Sequence, residues 1–437
     1  MKCSSKFFVY TFGCRCNQAD SAAIREGLLR KSMDEAETHR DANLIVVNSC
    51  TVTSRTDRQV RQMVRKFRRE NPGARLVITG CYAQRDPQAL ASISGVNLVV
   101  GNADKDRLAE LVSENAPQPW GKIVHAPLDA ARDYLVAPVS QARGKTRPFI
   151  KIQDGCDARC SYCIVPLARG PGRSAGPDDV LAEVQNLVNN GYQEIVLTGV
   201  HLGTYGQKLS PPTSLVELLG KILEVPGLGR LRLSSIEPMR FSRRIVELAL
   251  QYRSFARHFH IPLQSGSDRI LRRMRRPYKA GDFLQLLHHI RAQLPTAGLG
   301  TDIIAGFPGE QESEFEQTCE VIRHSPLTYI HVFPFSPRES TDAYSMPDLV
   351  PGYRIRERAR ILRELSLKKN LEFRGRFLGL VLPAIILAEE EEMGESVALT
   401  ENYIHVRLSG MKVAPNRLVE VRIEDVQPHE TTGSLVT

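Results

Sequence analysis

The sequence has no hydrophobic run long enough to cross a bilayer. The longest one near its C-terminus, GLVLPAIILA (379–388), is about half of the ~20 residues a membrane helix needs, and a proline interrupts it. The opening MKCSSKFFVYTFGC is too short and too polar for a signal peptide. The chain is therefore expected to be cytoplasmic, with no membrane partner. It also lacks an even cysteine count. Nine cysteines in a reducing compartment speak against a disulfide framework and for metal binding or redox chemistry. Charge balance is missing too: the formal net charge is +9, which suits a polyanionic partner without requiring one. At 437 residues the chain has length for two or three domains, each with its own core.

The first 140 or so residues read as α/β. The β-rich runs FFVYTFG (7–13), NLIVVNSC (43–50) and ARLVITGC (74–81) alternate with helical patterns, and each has a cysteine at or next to its end. In a parallel sheet the loops at the carboxyl ends of strands cluster on one edge, where sites form. Cys14, Cys50 and Cys81 are then expected to converge; the alternative is three unrelated buried thiols, since free cysteine is commonly buried. A weakly periodic linker follows at 117–147. Six strand–helix units come next, with strands FIKIQ, EIVLTGV, RLRLSSI, HFHIPLQ, LGTDIIAGF and YIHVFPF. They suggest a parallel barrel or partial barrel, whose site would lie at the carboxyl ends of its strands. A charged helix at 352–373 leads into about 65 residues of short strands, which fit a small β-barrel. The acidic run at 389–392 reads as a solvated turn.

One stretch carries the chemistry. GCDARCSYC (155–163) spaces three thiols as C-x-x-x-C-x-x-C at the end of the first barrel strand. Structural zinc normally takes four ligands, so zinc is the weaker reading. A short loop of staggered cysteines is the usual mark of an iron–sulfur cluster. With Cys156, Cys160 and Cys163 as its only ligands, one iron keeps an exchangeable position.

That spacing after a barrel strand resembles the radical S-adenosylmethionine (SAM) superfamily. Together with YTFGCRCNQADS, VNSCTVTSRTDRQVR, VITGCYAQ, IKIQDGCDARCSYCIVPLARG, HFHIPLQSGSDRILRRMRRPY and TDIIAGFPGE, it is similar to the methylthiotransferases from about residue 7 to residue 430. Local wording such as LSSIEP, HVFPFSP and CRCNQADS pulls toward the branch acting on threonylcarbamoyladenosine in tRNA.

The resemblance implies three segments. They are a Rossmann-like α/β methylthiotransferase domain at 1–140, a partial (β/α)6 radical SAM core at 141–371 and an RNA-binding TRAM barrel at 372–437. It implies two [4Fe–4S] clusters, one on Cys156, Cys160 and Cys163 and one on Cys14, Cys50 and Cys81, with SAM bound at the open iron of the first. One SAM would supply a methyl group and another a 5′-deoxyadenosyl radical, which activates C2 of adenosine 37. Insertion of sulfur at an unactivated aromatic C–H is beyond acid–base catalysis, so the cofactor carries the hard step. The implied partners are the anticodon stem-loop of tRNAs carrying threonylcarbamoyladenosine 37 and an electron donor such as flavodoxin or ferredoxin. Relatives carry an apolar residue two places after the first cysteine; here it is Cys16, expected to be a simple replacement. Cys319, mid-helix, reads as core, and Cys3 has no partner at ligand spacing.

Candidate SAM contacts are Tyr162, between the second and third thiols, and polar groups at strand ends: Thr198, Gly199, Ser235, Glu237, Gln264 and Asp302. Ser265 and Gly306 are further candidates, and each strand-end residue is equally readable as a turn or capping residue; Arg173 is a candidate for reaching a carboxylate or phosphate. His201 reads as a loop-orienting residue. Two basic runs, at 54–75 and 268–279, fit an RNA partner; the alternative for each is a solvated face. GRSAG (172–176) matches a nucleophile elbow in letters only, because no apolar strand precedes it. Competing functions are methylthiolation of isopentenyl-adenosine 37 or of a ribosomal-protein aspartate, and a non-catalytic iron–sulfur RNA-binding protein.

Overall fold

Leu44–Ser49 is buried at every residue, as expected of a strand covered on both faces of a parallel sheet. A computed structural model of the chain describes residues 5–113, 121–128, 146–392 and 395–436. The chain packs as two compact units. One comprises the described residues of Met1–Gln141 with Lys151–Asp179 and Ser336–Tyr344, and the other those of Ala142–Ile150, Val180–Phe335 and Ser345–Thr437.

In the first unit Leu44–Ser49 lies inside a six-stranded parallel sheet. The order is Asp34–Glu35, Lys6–Thr11, Leu44–Ser49, Arg75–Gly80, Leu98–Val100, Lys122–Val124. Alternate residues feed two cores: Ile45, Val47, Leu76 and Ile78 pack with Val60, Val64 and Phe67 of the helix Ser54–Glu70, whereas Val46, Leu44 and Val77 pack with Ile24 and Leu28 of Arg15–Arg30. The three predicted strands are present. Asp34–Glu35 and Lys122–Val124 are additional, too short for periodicity to reveal. The predicted linker at 117–147 lies largely outside the described residues, as does Cys3.

The second unit contains five of the six predicted barrel strands in chain order; of the first, Phe149–Asp154, the residues from Lys151 onward belong to the first unit. Glu194–Gly199 pairs in parallel with Arg230–Leu233. His258–His260, Gly298–Ala305 and Tyr329–Pro334 form a parallel trio, and Leu231 bridges in parallel to Phe255. Cys319 is buried in the helix Glu312–His324, as expected. The long helix Gly352–Gly375 leads to a closed five-stranded barrel ordered Val381–Glu392, Glu395–Thr400, His405–Leu408, Thr431–Leu435, Leu418–Val426. The acidic run at 389–392 belongs to the first of these strands rather than to a turn. Hairpin pairing of Glu391 with Ser396 and Glu392 with Glu395 holds its backbone extended.

A buried carboxylate ties this barrel to the parallel strands. Glu194 accepts from Arg232 through Nε at 2.7 Å and Nη2 at 3.3 Å, and from Arg230 Nη1 at 3.2 Å, while Arg147 Nη1 stands 3.7 Å away. The same guanidiniums donate onward to barrel carbonyls, Arg232 to Glu401 at 3.0 Å and Thr400 at 3.1 Å. Arg232 also lies 5.3 Å over the Tyr403 ring. Burial would raise the Glu194 pKa, but Arg232 and then Arg230 outweigh it and hold it at about 2.

Glu194→Gln leaves the buried guanidiniums of Arg230 and Arg232 uncompensated and is expected to cost about 3–5 kcal/mol at neutral pH, read as a lower urea midpoint by circular dichroism. Because the folded pKa is depressed, this stabilisation is complete above about 4.5 and is lost as pH falls through about 2. The gap between parent and variant should close over that window.

Candidate metal centres

Each cysteine of the amino-terminal trio follows a strand of the first sheet. Thr11, Ser49 and Gly80 end three adjacent strands, so Cys14, Cys50 and Cys81 issue from one sheet edge. Two glycines permit the close approach. Gly13, at φ 95°, has no room for a side chain, since a Cβ there would stand 2.7 Å from Cys50 Cβ and 2.8 Å from its Sγ. Gly80, at φ 96°, would place a Cβ 2.3 Å from Ser49 O; both φ values are ones that glycine alone adopts readily.

Hydrogen bonds fix these loops. Asn17, fully buried, donates through Nδ2 to Phe12 O at 2.8 Å and Ser49 O at 3.0 Å. Asn48 donates to Asn17 O at 2.8 Å, and Ser49 Oγ donates to Thr79 O at 2.5 Å. The Cys81 sulfur has Asn17 Oδ1 on one side and Asn102 Nδ2 on the other, each at 3.8 Å. Sequence reading passed over Asn17 and Asn102, whose partners are brought in only by the fold.

The triplet lies in the same unit. Cys156 N–H donates to Gly170 O at 3.0 Å and Cys163 N–H to Cys160 O at 3.1 Å. Ala158 N–H points at Cys156 Sγ at 3.4 Å, the kind of donor that stabilises a thiolate. All three thiols are partly accessible. Tyr162 is half-buried between the last two.

A buried charge network joins the two cysteine groups. Arg169 donates to Asp154 at 2.7 Å, to Asp20 at 2.9 Å and to Asn17 Oδ1 at 2.5 Å. Lys105 reaches Asp20 at 2.8 Å, and Lys151 reaches both Asp20 and Asp154. Arg173 Nη2 stands 3.6 Å from Asp154 as well, so four cations face two carboxylates, and Arg169 senses both Cys81 and Cys14. Burial opposes its charge, but Asp154, Cys81, Asp20 and Cys14 together hold its pKa well above the ordinary value. Lys151 is the one cation in the strand Phe149–Asp154, which also carries Asp154.

Cys16 is buried, and its thiol donates to the Cys14 sulfur. That bond, opposed by burial and aided by Arg169, lowers the Cys14 pKa to about 5. The same bond, with burial, raises Cys16 well above its usual range. Cys16 is thus a donor to its neighbour as well as a core residue. Burial, with Cys81 alongside, pushes Cys50 up to about 12.

In the second unit the predicted strand-end residues take several roles. Thr198 is buried and Gly199 is the last residue of its strand. Glu237 is paired with Arg276. Gln264 adopts φ 76°, and its N–H donates to Asp302 O at 2.8 Å. Ser235 Oγ lies 2.7 Å from His260 Nδ1, and Asp302 faces His260 and His331. Those two histidines were missed, since neither stands at a recognisable ligand spacing. His201 accepts through its carbonyl from Thr204 Oγ1 at 2.8 Å, in a 3-10 turn.

The basic runs divide. Among the seven Arg and Lys of Ser54–Glu70, Arg55, Arg58, Arg65, Lys66 and Arg69 are exposed. Arg61 instead donates to Tyr82 OH at 2.5 Å, and Arg68 to Pro72 O at 2.5 Å and to Gly95 O. In the second run Arg269, Arg273 and Arg276 bond to Glu314, Pro308 O and Glu237 respectively. Arg272, Arg275 and Lys279 remain exposed.

Residues 6–101 match the model of the Uncharacterized protein family UPF0004, and residues 150–322 that of the Radical SAM superfamily. A relative from Aquifex aeolicus, the threonylcarbamoyladenosine tRNA methylthiotransferase MtaB, is 35% identical over 94% of this chain and 98% of its own. The tRNA-2-methylthio-N(6)-dimethylallyladenosine synthase of Oceanobacillus iheyensis is 30% identical over 99% of this chain and 84% of its own. Among solved structures, the radical SAM methyltransferase TsrM from Kitasatospora setae shares the fold. Its TM-score is 0.57 and its identity 16%, over 76% of this chain and 73% of its own.

In the metal-free chain, iodoacetamide at pH 7 should alkylate Cys14 well before Cys50, read by peptide mass spectrometry. Cys16→Val removes the donor to Cys14 and should move the onset of Cys14 alkylation to higher pH.

Proposed function

The chain belongs to the radical SAM tRNA methylthiotransferases, and from that premise we propose that it methylthiolates C2 of threonylcarbamoyladenosine 37 in the tRNA anticodon stem-loop. The observation that carries this reading is the near full-length likeness to the threonylcarbamoyladenosine enzyme, joined to two sets of three thiols. One set is at adjacent strand ends, the other in the C-x-x-x-C-x-x-C loop. Each set fits a [4Fe–4S] cluster. The donors are all cysteine sulfurs, a buried cation faces the first set, and a backbone N–H is aimed at a sulfur of the second.

Cys156, Cys160 and Cys163 would hold one cluster, and Cys14, Cys50 and Cys81 the other. Bound clusters and SAM supply one-electron cleavage of the sulfonium and a sulfur atom for transfer. The protein's own residues do the holding. Arg169, with Lys105 and Lys151, offsets thiolate charge; Asn17 and Asn102 flank Cys81; Gly13 and Gly80 let the loops close. Thr198, Gly199, Glu237 and Gln264, with Tyr162, are the residues proposed for SAM, and Ser235 and Asp302 orient the histidines they face. The carboxyl-terminal barrel is assigned to RNA as a TRAM module. Exposed cations of Ser54–Glu70 add a phosphate-binding face, beside an open depression of about 630 Å³ lined by Arg61, Arg65, Ala89, Ser92, Ile93 and Ser94. The proposed electron donor is a small carrier protein such as flavodoxin or ferredoxin, and the proposed compartment is the cytoplasm.

Anaerobically purified chain should hold about eight iron and eight sulfide, as two cubanes require; about four would remove the second cluster. Nucleosides from a deletion strain should lack 2-methylthio-threonylcarbamoyladenosine and keep 2-methylthio-isopentenyl-adenosine. The reverse pattern assigns the dimethylallyl substrate.

For tRNA binding, Arg58→Glu, Arg65→Glu and Arg69→Glu together should flatten the dependence of log affinity on log salt. The slope is expected to fall by about 0.7–0.9 for each phosphate the triple variant no longer neutralises. Arg68→Glu should act on stability instead, through its bonds to Pro72 and Gly95.

A further inference from the structure

Three neighbouring parallel strands bring a second kind of donor set together. Asp302 stands directly opposite His331 in register, and His260 is one strand over, paired with Gly300 two residues before Asp302. His260 Nε2 lies 3.1 Å and His331 Nδ1 3.3 Å from the same oxygen, Asp302 Oδ1. The three ligand atoms all lie within 4.8 Å of one another.

We propose that His260, Asp302 and His331 bind a divalent transition-metal cation of the zinc or ferrous type, separate from the six clustered cysteines. Metal bonds of about 2.0–2.2 Å put neighbouring ligand atoms about 3.0–3.5 Å apart around a four- to six-coordinate ion, and the separations of 3.1 and 3.3 Å fall in that range. Two imidazoles and one carboxylate are a donor set that such metals favour.

The His260 ring supplies the independent observation. It is 7% exposed, and its Nε2 makes no hydrogen bond of acceptable geometry although it points at Asp302. Ser235 Oγ occupies Nδ1 at 2.7 Å, as outer-shell partners do for a ligating histidine. In the tautomer whose Nδ1–H donates to Ser235, the Nε2 lone pair faces a carboxylate oxygen, an arrangement that a cation held between the two satisfies. A carboxylate ligand is the poorer occupant, since neutral imidazoles and an ionised Asp302 carry a net negative charge.

His331 is half exposed, so the bound ion would keep positions open to ligand oxygens on that side. Resting on the proposed function, those positions suit the carboxylate and hydroxyl of a threonylcarbamoyl group, donors that a dimethylallyl group lacks.

Zinc is the probe. Anaerobically reconstituted full-length chain, dialysed against zinc, is expected to hold about one zinc beyond its iron, with only nitrogen and oxygen neighbours by X-ray absorption. His331→Ala, at an accessible position, and His260→Gln should each weaken zinc binding by about tenfold or more. Iron and sulfide counted in the same samples report cluster loading. A shortfall there overturns the two-cluster reading and leaves the zinc result standing. Absence of added zinc in the parent chain, zinc with sulfur neighbours, or binding unchanged in both variants would overturn the site.

Discussion

A thiolate placed among protein atoms is costly unless positive charge or N–H donors face it. In the first unit that requirement is met by Arg169. Its guanidinium is buried, held by Asp154 and Asp20, and close enough to Cys14 and Cys81 for their charges to act on it. The surrounding residues serve this placement. Lys105 and Lys151 keep the carboxylates from cancelling the cation, and Asn17 accepts from Arg169 while bonding two of the strand ends that carry the cysteines. Sequence leads to strand ends, strand ends to convergent thiols, and the buried cation makes the convergence tolerable.

The second unit uses the same device in reverse. There a single carboxylate, Glu194, gathers two guanidiniums at hydrogen-bonding distance and a third nearby, and Arg230 and Arg232 reach the backbone of the small barrel. In both units a long-range ion network, rather than apolar packing alone, decides which elements are held together. Removing one partner of a buried network of this kind is costly, although replacing the whole network by packed apolar residues is often neutral.

Much of the fold was legible because strands buried on both faces read as continuous apolar runs. NLIVVNSC and ARLVITGC are of that type, and their cysteines could be placed at strand ends from order alone. The triplet was legible from spacing. Partners separated by more than a hundred residues were not, as with Asp20 and Lys151, or Asn17 and Arg169. No local pattern records such pairs. Which cations of the basic runs face solvent was not legible for the same reason: Arg68 and Arg276 have the composition of an RNA-binding face but bond to groups of the fold. His260 and His331 were invisible because their meeting depends on strand register.

Gly13 and Gly80 each combine a positive φ with a neighbour that leaves no space for a side chain, Cys50 for the one and the Ser49 backbone for the other. A methyl group at either position would have to push two strand ends apart, so the spacing of the thiols is set by the smallest residues beside them.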